Sequence, residues 1–505
     1  MKNYINYTKV LFLLLSLGLV SCELETSPTD AMEKKEVFKT VSGSEKVLNG
    51  SWGQLMETFN SYANPGFGSF LRASDAMGND VVLQTNKYGF GSHYQFNALY
   101  GKGGTNSLSW SLAYKTINNM NNILANIDEV QGDGGERRRV KGQAYALRGF
   151  MYLHLASSYA FAIDHNPNAL TAPIYLEPTT AKSQPGKRAT VTEVYNQALK
   201  DLEEALVLIP EGYVRAQKFQ FDNNVVLGLL ARANLYARNW EKAKEYSDRL
   251  LVKNDYLMNE IEYKSGFNDV NNREWIWGHP QTPDQSDASY QFHFLDVTSK
   301  DSYYYSFNAD PYFKDLFEDG DYRKSMINWA PNPGADLAKA SVVWMRYGKF
   351  KFKAGQIADI VLMRTSEIYL INAEAKARLN DGDAINKLNA VKQARNAALA
   401  TNLSGNDLLE AIWLERRKEL FGEGFSLVDI VRNQKAVVRK KYEQSKVEYT
   451  YVVRDANGNE ETITKLMTAN GHYALNFPDQ SPFVANSPYY LYQIPAVEER
   501  ENPNL

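Results

Sequence analysis

Residues 224–252 read NVVLGLLARANLYARNWEKAKEYSDRLLV, two apolar-periodic runs on either side of a short polar break. From Asn224 to Ala237 apolar residues recur at helical spacing; Asn239-Trp240 interrupts them, and Glu241 to Val252 resumes the pattern. That spacing gives each run one apolar stripe, and so short a break folds the second helix back on the first. Small Ala231 and Ala243 allow the two backbones to approach closely. A second unit repeats the plan: Leu362–Leu379, a turn at Asn380-Asp381-Gly382-Asp383, then Ala384–Ala398.

Helix–turn–helix units of this size are tetratricopeptide-like. They are scattered along the chain, which predicts a mainly α scaffold of helix pairs broken by insertions instead of a regular solenoid. Further helices are predicted from Ser44 to about Asn60, from Ser107 to Ile127 and over Glu136–Tyr159. Thr190 and Glu193 form a capping box, each side chain satisfying the other's free backbone N–H, and open a helix that stops at Pro210.

Three stretches depart from this pattern. Residues 61–106 are rich in Gly, Asn and aromatics, among them Tyr62, Phe67, Phe70, Tyr88 and Tyr94, and read as long loops over the scaffold. Residues 271–355 interleave Trp275, Trp277, Tyr290, Tyr303, Tyr304, Tyr305 and other aromatics with Asp, Asn and Ser. Residues 446–464 alternate Val447, Tyr449, Tyr451 and Val453, turn at Asn457-Gly458 and return through Thr462-Ile463-Thr464, which predicts a small β-hairpin.

The N-terminus reads as an export signal. Lys2 and Lys9 precede an apolar run, Val10 to Val20, and Leu19-Val20-Ser21-Cys22 follows the pattern of a lipobox. Such a run is too short to span a bilayer, which needs roughly 20 residues. Residues 1–21 are therefore expected to be a signal peptide, Cys22 a lipidated first residue, and residues 22–36 a polar tether. Cys22 is the single cysteine of 505 residues, so no intramolecular disulfide can form.

The formal net charge of −3 offers no field for a polyanion and argues against nucleic acid as a partner. The six histidines are scattered, and with one cysteine no zinc cluster can assemble, so no metal or cofactor is expected. Tyr100-Gly101-Lys102-Gly103-Gly104-Thr105 lacks the spacing of a phosphate loop. Carboxylates for acid/base work concentrate in one helix, with Glu415, Glu419 and Glu423 at one-turn intervals. Arg416, Arg417 and Arg432 lie close enough to neutralise them, which assigns them to buried ion pairs between helices; a glycosidase using Glu415 or Glu419 is the enzymatic alternative.

Several segments, in order, resemble the SusD/RagB family of outer-membrane nutrient-binding lipoproteins. The late signature is Glu415-Arg416-Arg417-Lys418-Glu419-Leu420-Phe421-Gly422-Glu423-Gly424 followed by Asp429-Ile430-Val431-Arg432. Others are Leu362-Met363-Arg364 with Glu367, Leu370 and Ala373-Glu374-Ala375, Asp201-Leu202 with Ala205 and Pro210, and Ile494-Pro495 with Glu498 and Asn502-Pro503. Gly142-Gln143-Ala144 with Leu147-Arg148-Gly149 matches with two substitutions, Gln for Glu and Gly for Ala.

The resemblance implies one SusD-like domain over residues 37–505, with an N-terminal part to about 270 and a C-terminal part from about 271. It also implies a non-enzymatic, outer-membrane, lipid-anchored protein. Such a protein binds an oligosaccharide and acts as a lid on a SusC-like TonB-dependent transporter. Peptide or other nutrient binding on the same scaffold and a pure assembly role are the alternatives. Sugars present apolar C–H faces and many hydroxyls, so aromatic rings flanked by polar groups suit them. On that basis the ligand contacts are expected among Asp75, Asn79, Tyr88, Tyr94, Trp277, Tyr290 and Tyr303.

Overall fold

The computed structural model describes residues 36–58, 66–85, 87–455 and 457–505. The signal segment, Cys22, nearly all of the tether and Tyr62 lie outside the described residues. Both predicted helix pairs form, Asn223–Tyr236 with Trp240–Leu251 and Thr365–Arg378 with Ala384–Ala394. Leu362-Met363-Arg364, expected to open the third of these helices, ends the strand Ile360–Arg364 instead, and the fourth helix stops at Ala394, short of Ala398. Ala231 and Ala243 are fully buried. The remaining long helices are Val41–Glu57, Thr105–Asn126, Gly134–Ser158, Val191–Leu208 and Gly405–Glu419. The Thr190/Glu193 box opens the Val191 helix as its spacing requires, with both reciprocal hydrogen bonds present. Among the described residues no helix is long and apolar enough to cross a membrane.

One helix departs from expectation. Gly66–Ala76 lies inside the stretch read as loops. Phe67, Phe70, Arg72, Ala73 and Asp75 are all buried, and Gly66 and Gly68 in its first turn are weak helix formers that mask its spacing in the sequence. Tertiary packing, not local propensity, holds it helical.

The strands are short. The hairpin Lys446–Arg454 with Glu460–Ala469 forms, and its second strand adds in parallel to Val342–Tyr347, which also pairs with Ile327–Ala330. Trp275–His279 runs antiparallel to Ile360–Arg364. Val81–Leu83 pairs with Phe307–Ala309, in the register Val82 opposite Asn308. One continuous apolar core extends from Val41 to Ile494 and joins the N-terminal helices to the C-terminal strands.

Charged side chains knit this core together. Arg148 grips Asp201 through two bonds of 2.7 and 2.8 Å and also donates to Asn121, joining three helices. Arg232 does the same to Glu367, and Arg432 to Glu374 and Asp429. At the centre, Arg323, Arg364, Arg395, Lys349, Lys392 and Lys418 face Asp321, Glu274, Glu318, Glu415, Glu419 and Glu423. The formal charges cancel, which such burial demands, since an unpaired buried ion costs several kcal/mol.

Candidate functional site: a surface tyrosine cluster

The pairing of Val81–Leu83 with Phe307–Ala309 sets the loop after the first strand beside the loop before the second. Lys87 and Tyr88 thereby meet Tyr303, Tyr304 and Tyr305. Two single helical turns, Asp287–Gln291 and Phe292–Leu295, bring Tyr290 and His293 to the same place. Phe90, Phe294 and Phe307 form a buried floor, with ring centroids 5.1 to 6.0 Å apart. Tyr304 stacks on Phe294 at 4.8 Å. Gly89, at φ +112°, lies so close to Phe294 that a Cβ there would sit 2.5 Å from its ring.

Above this floor the tyrosines contact one another. Tyr88 lies 5.9 Å from Tyr304, and Tyr290 lies 6.1 and 6.4 Å from Tyr304 and Tyr303. The hydroxyls of Tyr290 and Tyr304 are hydrogen-bonded at 2.9 Å. Tyr88 and Tyr303 remain 54% and 56% exposed, so their faces are open to a ligand from solvent.

The cluster is tied down from several sides. The His293 ring stacks under Tyr303 at 4.0 Å, and its Nδ1 accepts from the Tyr303 backbone N–H at 3.2 Å. An accepting Nδ1 requires neutral imidazole, and burial lowers this histidine to about 4. Tyr305 has φ +36°, an uncommon conformation for a bulky residue. Its N–H donates to His293 O at 2.8 Å, its carbonyl accepts from Arg346 at 2.8 Å, and its hydroxyl accepts from Lys87 Nζ at 2.8 Å. Gln356 approaches the Tyr303 hydroxyl at 3.5 Å.

Of the seven predicted contacts, Tyr88, Tyr290 and Tyr303 come together here. The other four do not. Trp277 is 0% exposed, packed against Trp52, Phe150 and Phe221, with its N–H donated to Phe219 O. Tyr94 is buried between Arg439 and His472, and its hydroxyl bonds His472 Nδ1 at 2.7 Å. Asp75 is sealed inside and receives Gly424 N–H, Arg72 and Ser426 Oγ; burial lifts its carboxyl to about 6 despite Arg72. These three side chains are packing and fastening groups, because no ligand from solvent reaches them.

Asn79 lines a separate cleft of about 750 Å³ with Asp80, Asp310, Trp413 and Arg417. There Arg417 pairs with Asp80, Arg416 with Asp429 and Lys435 with Glu410, and Asn79 Oδ1 accepts from Val438 N–H, while Asp310 Oδ1, Arg416 Nη1 and Trp413 Nε1 have no partner among the described residues. Lys435 also lies 4.5 Å over the Trp413 ring. The tyrosine cluster differs from this cleft in exposing two tyrosines, Tyr88 and Tyr303, to solvent. Lys87, Tyr304 and Tyr305 were not among the predicted contacts; the run Tyr303-Tyr304-Tyr305 was the one local signal that could have found two of them.

Glu415 and Glu419 cannot serve the enzymatic alternative. Glu419 is fully buried and takes Arg323, Arg364 and Arg395; burial would raise its carboxyl, but those arginines outweigh it and hold it well below the ordinary range. Glu415 is likewise buried against Arg323 and Lys418.

Two family profiles match the chain: one described as "Starch-binding associating with outer membrane" over residues 30–235, and the SusD family over 273–505. A solved SusD-like carbohydrate binding protein from Bacteroides vulgatus is 61% identical, covers 92% of this chain and 97% of its own, and superposes with a TM-score of 0.89. The chain belongs to the SusD/RagB family. A SusD superfamily protein from Bacteroides thetaiotaomicron shares the fold at 21% identity and TM-score 0.75, over 92% of this chain and 98% of that one. A laminarin-binding SusD-like protein shares it at 19% and 0.62, over 79% and 92%. The SusD-like protein P38 of Formosa agariphila is 24% identical, over 86% of this chain and 93% of its own. SusD-family proteins are carbohydrate-binding and associated with the outer membrane.

Proposed function

We propose that this SusD-family protein binds an oligosaccharide on the tyrosine cluster and passes it to a SusC-like TonB-dependent outer-membrane transporter. The observation that carries this is the convergence of Tyr88, Tyr290, Tyr303 and Tyr304 on one surface, with Tyr88 and Tyr303 each more than half exposed. Flat rings meet the apolar faces of sugars, and the phenol hydroxyls meet their hydroxyls. The carbohydrate-binding description of the 61%-identical relative supports the same ligand class.

In this proposal residues 1–21 are removed on export, Cys22 carries lipid, and residues 22–36 form a tether reaching at most about 45–50 Å. Residues 37–505 are the lid-like binding body, made of parts 37–270 and 271–505 that share one core. Affinity electrophoresis of the full chain in detergent against a panel of polysaccharides tests ligand binding. Retardation by at least one, lost in a Tyr88→Ala/Tyr303→Ala variant of unchanged melting temperature, is the expected result. Retardation that survives the double substitution would refute the site, and capture of peptides alone would refute the ligand class. Cys22→Ala should abolish surface retention and leave affinity intact.

A further inference from the structure

We infer that the tyrosine cluster selects an anionic glycan, one bearing carboxylate or sulfate groups, through Lys87 at its rim, with the buried, uncompensated Arg346 guanidinium beneath Tyr305 adding positive charge under the site. This rests on the glycan-binding role proposed above and specifies its ligand.

Both cations lack a countercharge. Among the described residues, no carboxylate oxygen lies within ion-pair distance of Lys87 Nζ or of the Arg346 guanidinium, whereas Arg323, Arg364 and Arg395 each face several. Lys87 is half-buried; its ammonium donates to the Tyr305 hydroxyl at 2.8 Å and lies 4.0 Å over that ring, which leaves donors free. Arg346 is 3% exposed and bonds only neutral acceptors: Tyr305 O, Asn308 Oδ1, Asn332 Oδ1 and, at longer range, Pro331 O and Gln84 Oε1. Its Nε has no partner among the described residues. Burial lowers this arginine to about 9, opposed only by Tyr305. Arg439 is also held by carbonyls alone, but it lies against buried Tyr94 and Phe96, away from the open rings.

A neutral sugar offers hydroxyls that both donate and accept, and gains nothing special from two uncompensated cations. A carboxylate or sulfate offers acceptors only and supplies the missing charge, which strengthens each hydrogen bond it receives. Exposed acids border the cluster at Asp287, in the turn that carries Tyr290, and at Asp301, whose carbonyl accepts from Gln356. The ligand's anion belongs beside Lys87 and Tyr305, where the cation has no carboxylate partner among the described residues.

Affinity electrophoresis of the full chain in detergent should show retardation by polygalacturonate or chondroitin sulfate and little by laminarin or hydroxyethyl starch. Raising salt from about 0.05 to 0.5 M should weaken it. Lys87→Gln should lower affinity about tenfold at unchanged melting temperature, with Lys87→Arg restoring most of it. Preference between the two anionic polymers separates uronate from sulfate. Retardation by a neutral polymer that neither salt nor Lys87→Gln alters would overturn the anion assignment and leave glycan binding standing. No retardation by any of these polymers would overturn both.

Discussion

Replacing Glu419 with Gln isolates the contribution of the buried ionic centre. Its Oε1 accepts from Arg364 Nη1 at 2.5 Å and Arg395 Nη2 at 2.8 Å; its Oε2 accepts from Arg323 Nη1 at 2.7 Å and Arg395 Nε at 3.0 Å. Gln keeps the shape but turns one oxygen into an NH2 group. At least two charge-assisted bonds then become donor–donor contacts, and the three arginines lose the one carboxylate that touches all of them. At about 1.5–3 kcal/mol per bond to a charged group, the loss is about 3–5 kcal/mol. Urea unfolding at pH 7 with an unchanged slope should report it, while polysaccharide retardation by the folded protein stays the same.

The pH dependence follows from the direction of the shift. Glu419 is depressed in the folded protein, so its stabilisation is complete above the unfolded carboxyl value and fades as pH falls toward the folded one. The variant's deficit should therefore shrink below about pH 4. A cost under about 1 kcal/mol at pH 7 would refute the coupling of these arginines to Glu419. A change in ligand retardation at constant stability would reopen a direct role for this carboxylate.

Asp75 is raised to about 6 by burial despite Arg72, so the parent's stability should fall as pH climbs from about 4 to 6 while Asp75→Asn lacks that fall, and glycan retardation should be unaltered; a loss of retardation at unchanged stability would return Asp75 to the binding site. Asp310 is raised to about 7 by burial and by Asp80, so the folded state holds its proton longer and stability falls as pH climbs from about 4 to 7. Asp310→Asn should gain about 1–3 kcal/mol over the parent between pH 4.5 and 8 in paired melts, and a pH-independent difference would refute this. Gly424, at φ +93°, has Leu71 where a Cβ would stand, with atoms at 2.5 and 2.7 Å. Gly424→Ala should cost about 2–4 kcal/mol by chemical denaturation, and a neutral outcome would show that the turn can move.

The legible parts of the sequence were those with a local physical signature. Helices with a polar face announced themselves by spacing, the Thr190/Glu193 box by reciprocal capping, and the hairpin by alternation around Asn457-Gly458. That Glu415, Glu419 and Glu423 would be buried in ion pairs was legible from their setting, but their partners were not. Arg416, Arg417 and Arg432 pair instead with Asp429, Asp80 and Glu374, and the glutamates take Arg323, Arg364, Arg395 and Lys349 from distant elements, with Lys418 the one local partner. The helix Gly66–Ala76 was not legible, since it is short, opens on Gly66 and Gly68, and sits in a Gly-, Asn- and aromatic-rich stretch that reads as loop.

The site divides in the same way. Composition marked residues 271–355 and 61–106 as aromatic and polar, and Tyr88, Tyr290 and Tyr303 were found within them. Nothing local distinguishes Tyr94, buried against Arg439, from Tyr88, open to solvent six residues earlier. Covalent order and side-chain chemistry were enough to specify the helix pairs and the capped ends, because these depend on neighbours a few residues away. Which rings face outward, and that Lys87 and Arg346 converge on Tyr305 without a carboxylate, was settled by pairing Val81–Leu83 with Phe307–Ala309. That register joins residues more than two hundred positions apart, and only the packed core beneath it fixes which side of each loop meets solvent.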